Sequence, residues 1–128
     1  MASELRVNTL KDASGNNSIG MSYVAEGSAK AWADFDGGDP TIRDSFNTSS
    51  FGDNGTGDHT QNLTNAMGSA NYSYQGNGQT TLTNYPAYLT PDRLTAHTSS
   101  AMRAILASSG NTATDGIYSA SAFFGDLA

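Results

Sequence analysis

The feature that most constrains this chain is its punctuation. Stretches in which small or apolar residues alternate with polar ones are interrupted, about every 8 to 15 residues, by clusters of Gly, Asn, Asp and Ser. Residues of these types tolerate the positive φ that tight turns demand, and the segments between them suit short strands. The pattern predicts an all-β fold: one antiparallel β-sandwich, jelly-roll-like, or a small barrel.

Residues 29–36 show the alternation best. Ala29, Ala31, Ala33 and Phe35 share one face of a period-two strand, and Lys30, Trp32, Asp34 and Asp36 share the other. Trp32 therefore falls on the polar face, where it can pack on the Lys30 stem, cover a subunit neighbour or meet a ligand; burial in a sandwich or an interface is the commoner fate of a lone tryptophan. Residues 41–51 are long for one strand and are expected to bend or bulge over 47–50, where no large side chain anchors them. The run Asp53-Asn54-Gly55-Thr56-Gly57-Asp58 turns the chain back into a Thr- and Asn-rich strand over 59–65. Further strands are expected over 70–75, 80–83, 86–89, 101–107 and 117–124, separated by turns at 76–78, 90–92 and 110–111. Residues 99–109, with their alanines, Met102 and Leu106, also suit about three turns of helix on propensity, but the even turn spacing favours strand.

Composition narrows the function. Of 128 residues only 37% are hydrophobic, many of them alanine, so burial at about 25 cal/mol per Å² yields little, and partner subunits are expected to supply part of the stability. Six basic residues face twelve acidic ones, for a net charge of −6, and Arg6, Lys11, Lys30, Arg43, Arg93 and Arg103 are scattered. That distribution predicts no nucleic-acid partner and no anionic membrane surface. With no cysteine there is neither a disulfide framework nor a thiolate metal site. The first residues carry no apolar core of a signal peptide, and no stretch approaches the ~20 apolar residues of a membrane span, so synthesis in a cytoplasm without membrane insertion is expected.

Catalytic signatures are weak. No Gly-x-Ser-x-Gly occurs, and His59 and His97 in a Ser-rich chain do not make a triad. Asp34 and Asp36 would sit roughly 7 Å apart on one strand face, which invites a glycan-cleaving acid pair, but their face also carries Lys30 and leads into an open turn. Asp34 to Asp39 begins like a calcium loop and then fails it, with Gly38 at the fifth position and Ser45 at the twelfth. The loop 53–58 has oxygen donors but needs no metal to form its turn. No catalytic residue, no metal and no cofactor is expected. Tyrosines are the best recognition candidates: Tyr72 and Tyr74 share a strand face by period two, Tyr85 and Tyr88 flank Pro86, and Asn71, Gln75, Asn77, Gln79 and Asn84 supply amides nearby. Aromatic faces with amides beside them suit sugars, although most strand tyrosines bury their rings.

The same residues carry a family resemblance. The order Lys30-Ala31-Trp32, then Ile42-Arg43-Asp44-Ser45-Phe46-Asn47, then Asp53 to Asp58, continuing through Ala66-Met67 and Ala70-Asn71-Tyr72 to Ala122-Phe123-Phe124-Gly125-Asp126, resembles a small β-domain of tailed-bacteriophage virion proteins, tail-fibre-like and frequent in marine and aquatic phages. The resemblance implies a non-enzymatic structural protein of the virion, assembled in the host cytoplasm, with tail-fibre or receptor-binding tip duty foremost and capsid decoration or a head fibre as the alternative. It implies an attachment arm over residues 1–26, with Leu5, Val7 and Leu10 as its apolar contacts, ahead of a β-sandwich domain over 27–128. It further implies a homotrimer, tail or capsid proteins as partners, and a host glycan or surface protein met by Tyr72, Tyr74, Tyr85 and Tyr88. Readings from other classes are a small glycan-cleaving enzyme and a cellular carbohydrate-binding module.

Overall fold

The computed structural model describes residues 3–80, 86–92 and 94–128. Among these, β1 (Thr9–Lys11), β2 (Ser18–Gly20) and helix α1 (Met21–Gly27) precede β3 (Ala29–Phe35), β4 (Ile42–Phe46), β5 (Thr48–Gly55), β6 (Asp58–Leu63), β7 (Ser73–Gln79), β8 (Pro86–Pro91), β9 (Ala101–Ser108) and β10 (Tyr118–Phe124). The all-β antiparallel expectation holds. Strands β3 to β10 form one eight-stranded sheet in the order β4-β3-β10-β7-β8-β9-β6-β5. Within it β10-β7-β8-β9 is a Greek key, three consecutive strands with the fourth returning beside the first.

The sheet curls until its two edges nearly meet. The edge strands β4 and β5 are neighbours in sequence, joined through Asn47 alone, whose φ of 54° turns the chain sharply. Asn is one of the few side chains that accept this backbone region, and here it also bonds across the seam. Its Nδ2 donates to Lys30 O and Asn65 O, each at 3.0 Å, while its Oδ1 accepts from Asn65 N at 2.7 Å. The bend expected over 47–50 is this corner, followed by a bulge between Thr48 and Ser50. A polar chain leads from the interior out to the seam: Ser121 Oγ donates to Gln61 Oε1 (2.6 Å) in the core, Gln61 Nε2 to Thr48 Oγ1 (2.8 Å), and Thr48 Oγ1 to Trp32 O (3.2 Å) near the surface. This explains why β6 looks poorly amphipathic. Its inward residues are His59, Gln61 and Leu63, and Gln61 makes hydrogen bonds in place of apolar contact.

Apolar packing fills the rest. Phe35, Leu89 and Leu106 anchor one cluster, while Met67, Met102 and Phe123 anchor the other. Phe35 stacks on Phe51 across the seam with ring centroids 4.0 Å apart. The alternation over 101–108 is buried at Met102, Ala104 and Leu106, which settles that segment as strand. Three expectations are corrected, the first being the turn at 90–92, since Thr90 and Pro91 still pair with β9 within β8. Gly76-Asn77-Gly78 is not a turn; it lies within β7, where both glycines face inward. A Cβ on Gly76 would stand 2.8 Å from Leu89 Cβ, and one on Gly78 2.6 Å from Leu106 Cδ1, so the glycines make room for the two leucines opposite. Nor is all of residues 1–26 extended peptide. Turn residues 12–17 close the β1–β2 hairpin, and α1 follows, its last carbonyls capped by the Lys30 ammonium, which donates to Ser28 O at 2.9 Å and to Ala25 O. The strand expected over 80–83 lies, beyond Thr80, outside the described residues.

Candidate functional site

Turning Ala31, Ala33 and Phe35 into the core forces Trp32 and Asp34 onto the outer face of β3. The same rule applied to β10 buries Ser119, Ser121 and Phe123 and turns Tyr118, Ala120 and Ala122 outward. Register then lines these residues up. Trp32 lies opposite Ala122, which lies opposite Gln75; Asp34 lies opposite Ala120, which lies opposite Asn77; and Asn77 lies opposite Tyr88. Because β10 presents only methyl groups there, a trough one strand wide runs between β3 and β7, whose backbones are about 10 Å apart. Shallow hollows along it are lined by Gln75, Asn77, Ala120 and Ala122, and by Asp34 and Tyr118 at one end. Trp32 remains 37% exposed and Tyr118 57%.

Arg43 organises that end. A bulge leaves it without a partner between the pairs Asp34–Asp44 and Phe35–Ile42, and this re-aims its side chain. Its guanidinium meets Asp34 at 3.1 Å and Asp36 at 3.0 Å, donates to Phe35 O at 2.9 Å and to Ile117 O, and lies 4.8 Å over the Tyr118 ring. The carboxylate pair that suggests a glycan-cleaving acid and base is thus held by one cation on the rim of the trough. On the opposite wall Asn77 extends between two glycines, and its amide makes no hydrogen bond to the described residues.

The tyrosines divide differently from the sequence reading. Tyr74 points inward and meets Phe123 edge-on at 5.0 Å, and burial drives its phenol well above the ordinary range. Tyr72 precedes β7, lies 5.3 Å from Phe123 and 5.1 Å from His97, and donates to Thr98 O at 3.0 Å; burial pushes it up to about 12. Both rings pack on Phe123, Tyr74 because the register of β7 on β10 sets it opposite Phe123 on the inner face. Tyr88 stands on the outer face, 49% exposed, and Tyr85 lies outside the described residues. The outward set of β10 was missed, although alternation over 118–123 carried the signal.

The other candidates have structural contacts. His59 is buried, and its Nε2–H donates to Gly37 O at 2.8 Å; His97 Nε2 lies 2.8 Å from Ala70 O. In the 53–58 turn Asp53 Oδ1 accepts from Gly55 N at 2.9 Å, and Asp58 accepts from Arg103 Nε at 2.8 Å, which holds its carboxyl below the usual range. At the N-terminus Leu5, Val7 and Leu10 are exposed, as are Ile19, the register partner of Leu10, and Tyr23. Comparison with family models, curated proteins and solved structures returns no match.

Proposed function

We propose that this chain is a non-enzymatic structural component of a bacteriophage virion, serving as a tail-fibre or receptor-binding tip module. The observation that carries this reading is the division of the molecule into a hairpin–helix unit with no buried residue and a well-packed barrel with a polar, aromatic outer face. A two-stranded hairpin with a short helix is marginal alone in water, and its exposed Leu5, Val7, Leu10 and Ile19 suit attachment to sister chains or to tail proteins. The barrel then projects its outer face. In a trimer that face is repeated around an axis, and weak contacts gain from effective concentration. The family resemblance supports the same division of labour, and the tie of Asp34 and Asp36 to Arg43 supports a role without catalysis.

The test is where the chain sits. Mass spectrometry of purified particles, from the infection in which the chain is made, should find it at a handful of copies, and cryo-EM should place it on the tail. Hundreds of copies on the shell would make it a decoration protein, and absence from particles would overturn the virion reading.

A further inference from the structure

We infer that the outer trough between β3 and β7 binds a neutral pyranose glycan, with Trp32 as its stacking platform and Asp34, Gln75 and Asn77 as its polar contacts. This rests on the receptor-binding reading above and names the ligand class for it.

A sugar ring has an apolar C–H face and a rim of hydroxyls, each both donor and acceptor. A matching site needs a flat aromatic surface and, within one ring's width, groups that accept and donate. Strand register places these on the two strands that flank β10. Trp32 on β3 faces Gln75 on β7 across the methyl of Ala122, and Asp34 faces Asn77 across the methyl of Ala120. The Asn77 amide offers one acceptor and two donors with no partner among the described residues, and Gln75 makes only a 3.5 Å contact with Ser73. Asp34 keeps an oxygen beyond the one bonded to Arg43 Nη1, and that salt bridge fixes its orientation before any ligand arrives. Two bulky side chains on β10 would fill the trough, whereas alanine at 120 and 122 leaves it open.

Charge selects among glycans. Asp44 lies opposite Asp34 on the same outer face, the chain carries −6, and Arg43 is already shared between Asp34 and Asp36. Lys30, the cation of β3, is turned to the Ala25 and Ser28 carbonyls, so among the described residues an anionic saccharide would meet carboxylates on these walls, and neutral sugars are the class that fits.

The chain carries its own reporter, because Trp32 is its single tryptophan. Intrinsic fluorescence of the full chain would be followed during titration with maltoheptaose, cellohexaose and chitohexaose, with heparin as the anionic comparison. A saturable shift with at least one neutral oligosaccharide and none with heparin is expected. Asn77→Ala should weaken that binding about tenfold, the loss of one or two hydrogen bonds. Ala120→Gln, which fills the floor, should abolish it at an unchanged melting temperature, and Gln75→Ala provides a second exposed wall variant. No response to any of the three neutral sugars overturns the inference, as does a response equal for heparin, or one that both Asn77→Ala and Ala120→Gln leave intact. These outcomes are independent of particle location: a chain found on the tail that ignores all three sugars loses the glycan reading and keeps the virion one.

Discussion

The hairpin–helix unit and the barrel are parts of one chain held by different physics. No described residue before Ala31 is buried, and the unit's turn is held by polar contacts around Asp12, whose Oδ1 accepts from Ser14 Oγ at 2.9 Å and Asn16 N at 3.0 Å. In the barrel Phe35, Leu106 and Phe123 are fully buried, and hydrogen bonds run from the interior between β10 and β6 outward to β5 and β3. Apolar residues are not scarce at the N-terminus; what they lack there is burial. Leu10 and Ile19 face the same side of a two-stranded sheet that has no second layer, whereas Phe123 has Tyr72 and Tyr74 upon it.

Four measurements test how far the two regions differ. Phe123→Ala should cost the most, about 3 to 5 kcal/mol in urea unfolding, since it opens the centre of one apolar cluster. An effect below about 1 kcal/mol would mean that the barrel is as loosely held as the hairpin. Asn47→Ala comes next, at about 2 kcal/mol, because it puts an alanine at φ 54° and removes the bonds that hold the seam. Asn47→Gly should recover part of this loss, the backbone part, and a full recovery would show that the side-chain bonds contribute nothing.

Acid should act on the barrel through Asp58. Arg103 holds the folded carboxyl below its ordinary 3.8, so the stabilisation is fully present above that pH and is lost as pH falls through the lower folded value. Asp58→Asn should cost about 1 kcal/mol at pH 7 and progressively less below pH ~4, and a gap from wild type that stays constant down to pH 2 would refute the linkage. The smallest effect is expected from Leu10→Ser with Ile19→Ser. Unfolding of the isolated chain should change by less than about 0.5 kcal/mol, while self-association or docking on particles is lost. A large change in the unfolding of a monomer would show that the hairpin packs on its own barrel after all.

The candidate site was half legible. Trp32 on the outer face follows from the alternation of 29–35, and Gln75 and Asn77 stood out as amides near aromatic residues. Their meeting did not follow, because Trp32 and Gln75 are brought together by β10, which inserts between β3 and β7 from the far end of the chain. That Tyr72 and Tyr74 pack on Phe123 was not legible, because period two reports that residues share a side but not which side is the core. The α1 helix was missed because a seven-residue run leaves too short a period to read.

Local chemistry was enough to set the strand content, the hairpin at 53–58 and the corner at 47, since alternation and left-handed turn residues act within a few positions. The order of strands, the closing of the sheet and the trough came from contacts between distant segments. Gly76 and Gly78 show the reason. In isolation Gly-Asn-Gly favours a turn, but Leu89 and Leu106 occupy the space where its side chains would be, and packing two leucines outweighs the turn preference of two glycines.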